Sequence, residues 1–196
     1  MPTRRLSPSI VVVATALALV AALGVMTLLD HGSGSSASDA DKASEGFKLE
    51  PSTGKLPDSV QDVTLASLTG KPDRKLGQVL GRTPVVVNFF GSWCAPCIRE
   101  MPAFQRVHTD LGGKVGFVGM AYRDVPEDAL ATVAKTKVTY PTYLDRDDAA
   151  LTYFGGIEMP TTVFLDKTGK VLDVNPGPLS EKELRAKLAD LYGIRT

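Results

Sequence analysis

The chain has 196 residues, enough for one ordinary domain and an appendage. With 43% hydrophobic and 22% charged residues it has the composition of a globular protein, and 22 Lys and Arg offset 22 Asp and Glu to leave no net charge at pH 7. Lys and Arg are spread along the sequence with no basic stripe, which argues against nucleic acid as a partner.

In chain order, Arg4 and Arg5 precede an uncharged apolar run, Ile10 to Leu29. As a helix rising about 1.5 Å per residue, that run is long enough to cross a hydrocarbon core of about 30 Å. It is also longer than the apolar region of a secretory signal, typically about 7 to 15 residues. Residues 1–9 are therefore expected to be a cytoplasmic segment, 10–29 a transmembrane anchor or signal region, 30–45 a flexible linker and 46–196 the folded domain. The positive-inside tendency places that domain outside the cell membrane on a single pass. The cleavage-like stretches Ser35-Ser36-Ala37 and Ser38-Asp39-Ala40 carry the alternative, a cleaved signal and a secreted domain.

Within the domain, Val63 to Leu68 reads as a short strand, and Arg74 to Leu80 as a strand end followed by a helical turn. Val85 to Phe90 is a continuous β-branched and aromatic run, which suits a strand buried on both faces at the centre of a sheet. A helix is expected next, to about Leu111, with Ile98, Met101, Phe104, Val107 and Leu111 at three- and four-residue spacings. Val115 to Ala121 reads as a second buried strand and Pro126 to Thr136 as a helix, with proline well placed in its first turn. Tyr140 to Leu144 reads as a strand, Ala149 to Phe154 as a short helix and Thr161 to Leu165 as a strand. Lys167 to Lys170 then turns the chain into Val171 to Val174, a hairpin that makes the sheet mixed. Ser180, with Glu183 three residues on, caps a last helix to about Leu191.

The chain has two cysteines, Cys94 and Cys97, placed where the central strand runs into its helix. Three residues apart, they are too close to staple distant parts of a fold, and a closed zinc site needs four ligands. The two histidines make poor candidates to complete one: His31 lies in the polar linker and His108 eleven residues past Cys97. A redox pair remains. At a helix N-terminus, free N–H groups and the helix dipole favour the Cys94 thiolate. Cys94 is then the nucleophile that attacks a disulfide, and Cys97, one turn on, resolves the mixed disulfide.

The stretch Trp93-Cys94-Ala95-Pro96-Cys97 resembles the active-site motif of the thioredoxin superfamily. The likeness extends through Asn88 to Ser92, Glu100-Met101-Pro102 and Met159 to Asp166, and the whole set is similar to the TlpA/ResA branch of extracytoplasmic thioredoxin-like proteins. The resemblance covers residues 46 to 192. It implies a thioredoxin-like α/β fold, a central mixed sheet flanked by helices. It also implies that Pro160 carries a cis peptide bond beside the nucleophilic sulfur, so that residue 159 offers its backbone to an extended substrate.

Glu100, one turn past Cys97, is the candidate acceptor of the Cys97 proton, provided burial raises its pKa. Asn88 stands where ordinary thioredoxins carry an aspartate, which makes Glu100 the better candidate. Trp93, at the motif's rim, and Met159, where valine or threonine is more usual, complete the expected substrate-binding residues with Pro160. The expected partners are protein thiols or disulfides and a membrane electron donor or acceptor, with no cofactor and no metal, and the protein is expected to be a monomer. Reduction of substrates, which the resemblance implies to be in cytochrome c maturation or at metal-site thiols, is the leading expectation. A disulfide-forming oxidase and a copper(I) chaperone using Cys94, Cys97 and Met159 are the alternatives.

Overall fold

The computed structural model describes residues 59–80 and 82–194. The expected cytoplasmic segment, membrane anchor and linker, and the first residues of the expected domain, lie outside the described residues.

Seven strands are present among them: β1 (Thr64–Leu65), β2 (Arg74–Lys75), β3 (Val85–Phe90), β4 (Gly116–Tyr122), β5 (Thr142–Asp145), β6 (Thr161–Leu165) and β7 (Val171–Pro176). The α-helices are α1 (Ala95–Leu111), α2 (Pro126–Thr136), α3 (Ala149–Tyr153) and α4 (Glu181–Tyr192). Strands β3 to β7 form one mixed sheet in the order β5-β4-β3-β6-β7, in which β3, β4 and β5 run parallel and β6 and β7 run antiparallel to their neighbours. This is the thioredoxin-like α/β architecture, with the central sheet mixed.

Every residue of β3 is buried, as its unbroken apolar run requires of a strand covered on both faces. Alternation sends Val86, Asn88 and Phe90 to the face that carries α1. That helix buries Cys97, Glu100, Met101, Phe104, Val107 and Leu111, one stripe at helical spacing, and lies beside both α2 and α4. Each large apolar side chain so buried contributes roughly 1.5–3 kcal/mol. At the end of the sheet away from Cys94, the Tyr192 hydroxyl of α4 donates to the carbonyls of Val85 and Leu165 and ties the last helix to the two central strands. Ser180 and Glu183 form the reciprocal cap expected of that helix.

Two expected strands are shorter than their sequences suggest. The first is confined to Thr64–Leu65 and one bridge from Ala66 to Leu144, because side chains take over the backbone donors beyond it. Ser67 donates its N–H to Asp73, and the Ser67 hydroxyl accepts from the N–H groups of Thr69 and Lys71. The fifth begins at Thr142 rather than Tyr140. Tyr140 precedes the ladder, with its ring buried under the sheet, while Pro141 supplies only its carbonyl, to Gly119 N–H.

Candidate active site

Strand register gathers the site at one end of the sheet. β3 ends at Phe90, level with Ala121 of β4, so the loops that follow them, Gly91 to Cys94 and Arg123 to Val125, lie side by side. β6 is antiparallel to β3 and pairs Thr161 with Phe89, so the residue before it, Pro160, reaches the same end. The Met159–Pro160 peptide bond is cis, and both residues are buried.

Cys94 is the N-cap of α1, and its sulfur accepts the Cys97 N–H at 3.3 Å. A free helix N–H thus points at Cys94 Sγ, the contact that stabilises a thiolate. Pro96 sits in the first turn, where no N–H is missed. Cys94 and Cys97 form a disulfide. Cys94 keeps a 4% exposed edge and Cys97 has none, so a substrate sulfur can approach only Cys94.

The loop in front of the pair is held by its neighbour. Asp124 accepts both the backbone N–H and the hydroxyl of Ser92, each at 2.7 Å, and the Trp93 indole N–H donates to the Arg123 carbonyl at 3.1 Å. The indole packs against Gly91, where a Cβ would stand 2.7 Å from Trp93 Cε2, so a side chain at residue 91 would displace it. Trp93 remains 43% exposed, a rim residue.

One turn past Cys97, Glu100 is buried between α1, the sheet and the segment leading to α4. Its Oε1 accepts from Asn88 Nδ2 at 2.8 Å and its Oε2 from Leu179 N–H at 2.9 Å. Burial outweighs both bonds and pushes its pKa up from 4.5 to about 8. Tyr140 donates its hydroxyl to Asn88 Oδ1 at 3.4 Å on the other side of that amide. A disulfide at a helix N-terminus with a proton-binding carboxyl one turn below it is equipped for thiol-disulfide exchange.

Known proteins agree with that chemistry. A family model described as Redoxin matches residues 55–191. The chain belongs to the Redoxin family. Its Redoxin domain is 29% identical over 133 residues to the thiol-disulfide oxidoreductase ResA of Geobacillus thermodenitrificans, a match spanning 66% of this chain and 74% of that one. Among solved structures, MTB DsbF is similar at 30% identity and a TM-score of 0.61, over 70% of this chain and 99% of that one. A DsbF homologue from Corynebacterium diphtheriae is similar at 29% identity and a TM-score of 0.59, over 74% and 98% of the two chains. The protein is a thiol-disulfide oxidoreductase of thioredoxin-like fold.

The Redoxin domain brings Trp93, Cys94, Cys97 and Glu100 together on one strand–helix junction, and Met159 and Pro160 to the same end of the sheet. Three contributors to the site carry no site signal in the sequence: Asp124, Leu179 and Tyr140. Asp124 was within reach of a topological argument, since a polar residue at the end of the strand parallel to β3 must lie beside the motif. Leu179 acts through its backbone, which leaves no residue-type signal.

Proposed function

We propose that the protein reduces disulfides of protein substrates outside the cell membrane, to which residues 10–29 tether it. The observation that carries this reading is the placement of Glu100 beneath a capped Cys94. The Cys94 thiolate attacks one sulfur of the substrate disulfide, forming a mixed disulfide and expelling the other substrate sulfur as a thiolate. The Cys97 thiol then gives its proton to Glu100 and attacks Cys94 Sγ. The bond between Cys94 and the substrate breaks, the second substrate thiolate leaves, and the protein's pair is left oxidised while the substrate has gained two electrons. With a pKa of about 8, Glu100 is ionised in roughly one molecule in ten at pH 7 and more above it. Exchange therefore quickens toward pH 8. A dithiol on a membrane partner restores the reduced pair by the reverse steps.

The same carboxyl supports reduction over oxidation. A strongly oxidising pair is one whose reduced, thiolate form is stabilised. As Glu100 ionises toward pH 8 and above, its carboxylate one turn below the sulfurs opposes that thiolate by like charge and lowers the potential. Trp93, Met159 and the cis-linked Pro160 form the surface that receives substrate, the backbone of residue 159 pairing with an extended segment. The substrates in this reading are disulfides of apocytochrome c or of metal-site thiol pairs.

Equilibration against glutathione and dithiothreitol buffers tests the direction. A potential near or below about −270 mV is expected of a dedicated reductase, and one near −120 mV would make the protein an oxidase. Retention of the full chain in membranes after alkaline washing is expected of the tether; release into the wash would contradict it.

A further inference from the structure

We propose that Tyr140 is a positioning residue of the redox centre, its hydroxyl holding the Asn88 amide in the one orientation that gives Glu100 a hydrogen-bond donor. The proposal rests on the reading of Glu100 as the acceptor of the Cys97 proton and says what keeps that acceptor tuned.

The Asn88 side chain is fully buried in the central strand and has two unlike ends, a carbonyl that accepts and an NH2 that donates. Only one of them can face a carboxylate without repulsion. Tyr140 decides which. Burial holds its phenol protonated well above the usual range, so it is always a donor, and it reaches Asn88 Oδ1 at 3.4 Å. The carbonyl end is thereby occupied and the NH2 end is turned to Glu100 Oε1 at 2.8 Å. With the hydroxyl gone, the flipped amide, carbonyl toward a protonated Glu100, is no longer penalised. The ionised form then loses its side-chain donor.

Two features built into the sheet bring the tyrosine there. In the parallel pairing of β3 and β4, Gly119 stands opposite Asn88, and a Cβ on residue 119 would lie 3.3 Å from Tyr140 Cε2 and 2.8 Å from Thr142 Cγ2. Glycine therefore keeps open the ground that the ring occupies. The ring is then held edge-on by His108 at 5.6 Å and at a tilt by Phe117 at 5.8 Å between centroids. Aromatic contacts of this kind leave a ring few orientations.

Glu100 bonds Asn88 from β3 and the Leu179 N–H ahead of α4; Tyr140, from the segment before β5, lies on the far side of the Asn88 amide, and Cys97 stands one turn earlier on the same helix. His108, against Tyr140, is held toward its neutral form by burial. Among the described residues no cation contacts the carboxyl, so burial raises its proton affinity and its two donors are what oppose that rise.

The test is Tyr140→Phe, which keeps the ring against His108 and Phe117 and removes only the hydroxyl. The Glu100 carboxyl is titrated by carbon NMR in the full oxidised chain, in wild type, Tyr140→Phe, Asn88→Ala and the double variant. The expected result is an upward move of the midpoint by about one pH unit in Tyr140→Phe, and no further move when the same change is made on Asn88→Ala. An unmoved midpoint in Tyr140→Phe, or the same move with and without Asn88, would overturn the proposal. The rate at which Cys97 resolves a preformed mixed disulfide on Cys94, followed against pH, separates the two readings. If the Glu100 midpoint moves as expected but the pH profile of Cys97 does not follow it, Tyr140 positions Asn88 and Glu100 is not the proton acceptor.

Discussion

Glu100 and Asp145 are both buried carboxyl groups, 5% and 4% exposed, yet the fold gives them opposite employment. Asp145, at the end of β5, accepts the backbone N–H groups of Ala150 and Leu151, both at 2.9 Å, and closes the turn into α3. Burial raises it, and nearby Asp147 and Asp148 add to the rise, but the two backbone donors hold it to about 6, so it is mostly ionised at neutrality. Glu100 has one backbone donor and one amide, and it rises to about 8. Burial sets the direction for both, and its balance against the two donors on each decides whether a carboxyl serves as a fixed cap or as a site that gains and loses a proton near neutral pH.

The largest expected effect that sharpens this contrast is on rate. Glu100→Gln removes the proton acceptor and slows resolution of the mixed disulfide about 10- to 100-fold near pH 8, with the rise of rate toward that pH abolished. Asp145→Asn leaves the rate within about twofold. Stopped-flow exchange with a model disulfide measures both, and equal losses in the two variants would break the distinction.

Stability is expected to divide them the other way. Asp145→Ala leaves two buried N–H groups without an acceptor and costs on the order of 2 kcal/mol in denaturant unfolding. For Glu100 the sign follows from its raised value. Between an unfolded value of 4.5 and a folded value of about 8, the folded protein binds more protons than the unfolded one. Its contribution is therefore complete below about pH 4.5, declines as pH rises, and levels off above pH 8. Glu100→Gln is expected to flatten that decline and to be the more stable protein at pH 9, by on the order of 2 kcal/mol. A parallel pH dependence in wild type and variant would contradict it.

A smaller effect is expected at the loop that precedes the pair. Asp124→Ala frees Ser92 and loosens the seat of Trp93, and it is expected to lower kcat/KM for a protein substrate less than tenfold, with small-disulfide exchange nearly unchanged. Equal losses toward both substrates would place Asp124 in the chemistry instead.

Much of this was legible in the sequence because its signals are local. The unbroken apolar run of Val85 to Phe90, the stripe from Met101 to Leu111, whose expected first member Ile98 is only half-buried, and the Ser180–Glu183 cap each fix an element from neighbouring residues. The cysteine pair announces itself by spacing. Tyr140 reads as strand because its aromatic and β-branched neighbourhood favours one, while its actual place depends on a glycine twenty-one positions earlier in another strand. Ser67 and Asp73 end the first strand through side-chain bonds that no periodicity encodes. What contacts between distant segments create, local pattern cannot announce, and Glu100 is surrounded by β3, the segment before β5 and the segment before α4.

The most direct test of the central claim is which sulfur is attacked first. In Cys97→Ser, treatment with a small aromatic disulfide is expected to leave a stable mixed disulfide on Cys94. In Cys94→Ser, the fully buried Cys97 is expected to react at least about a hundredfold more slowly. Equal reactivity of the two variants, or trapping on Cys97 alone, would contradict the assignment of Cys94 as nucleophile and the mechanism built on it.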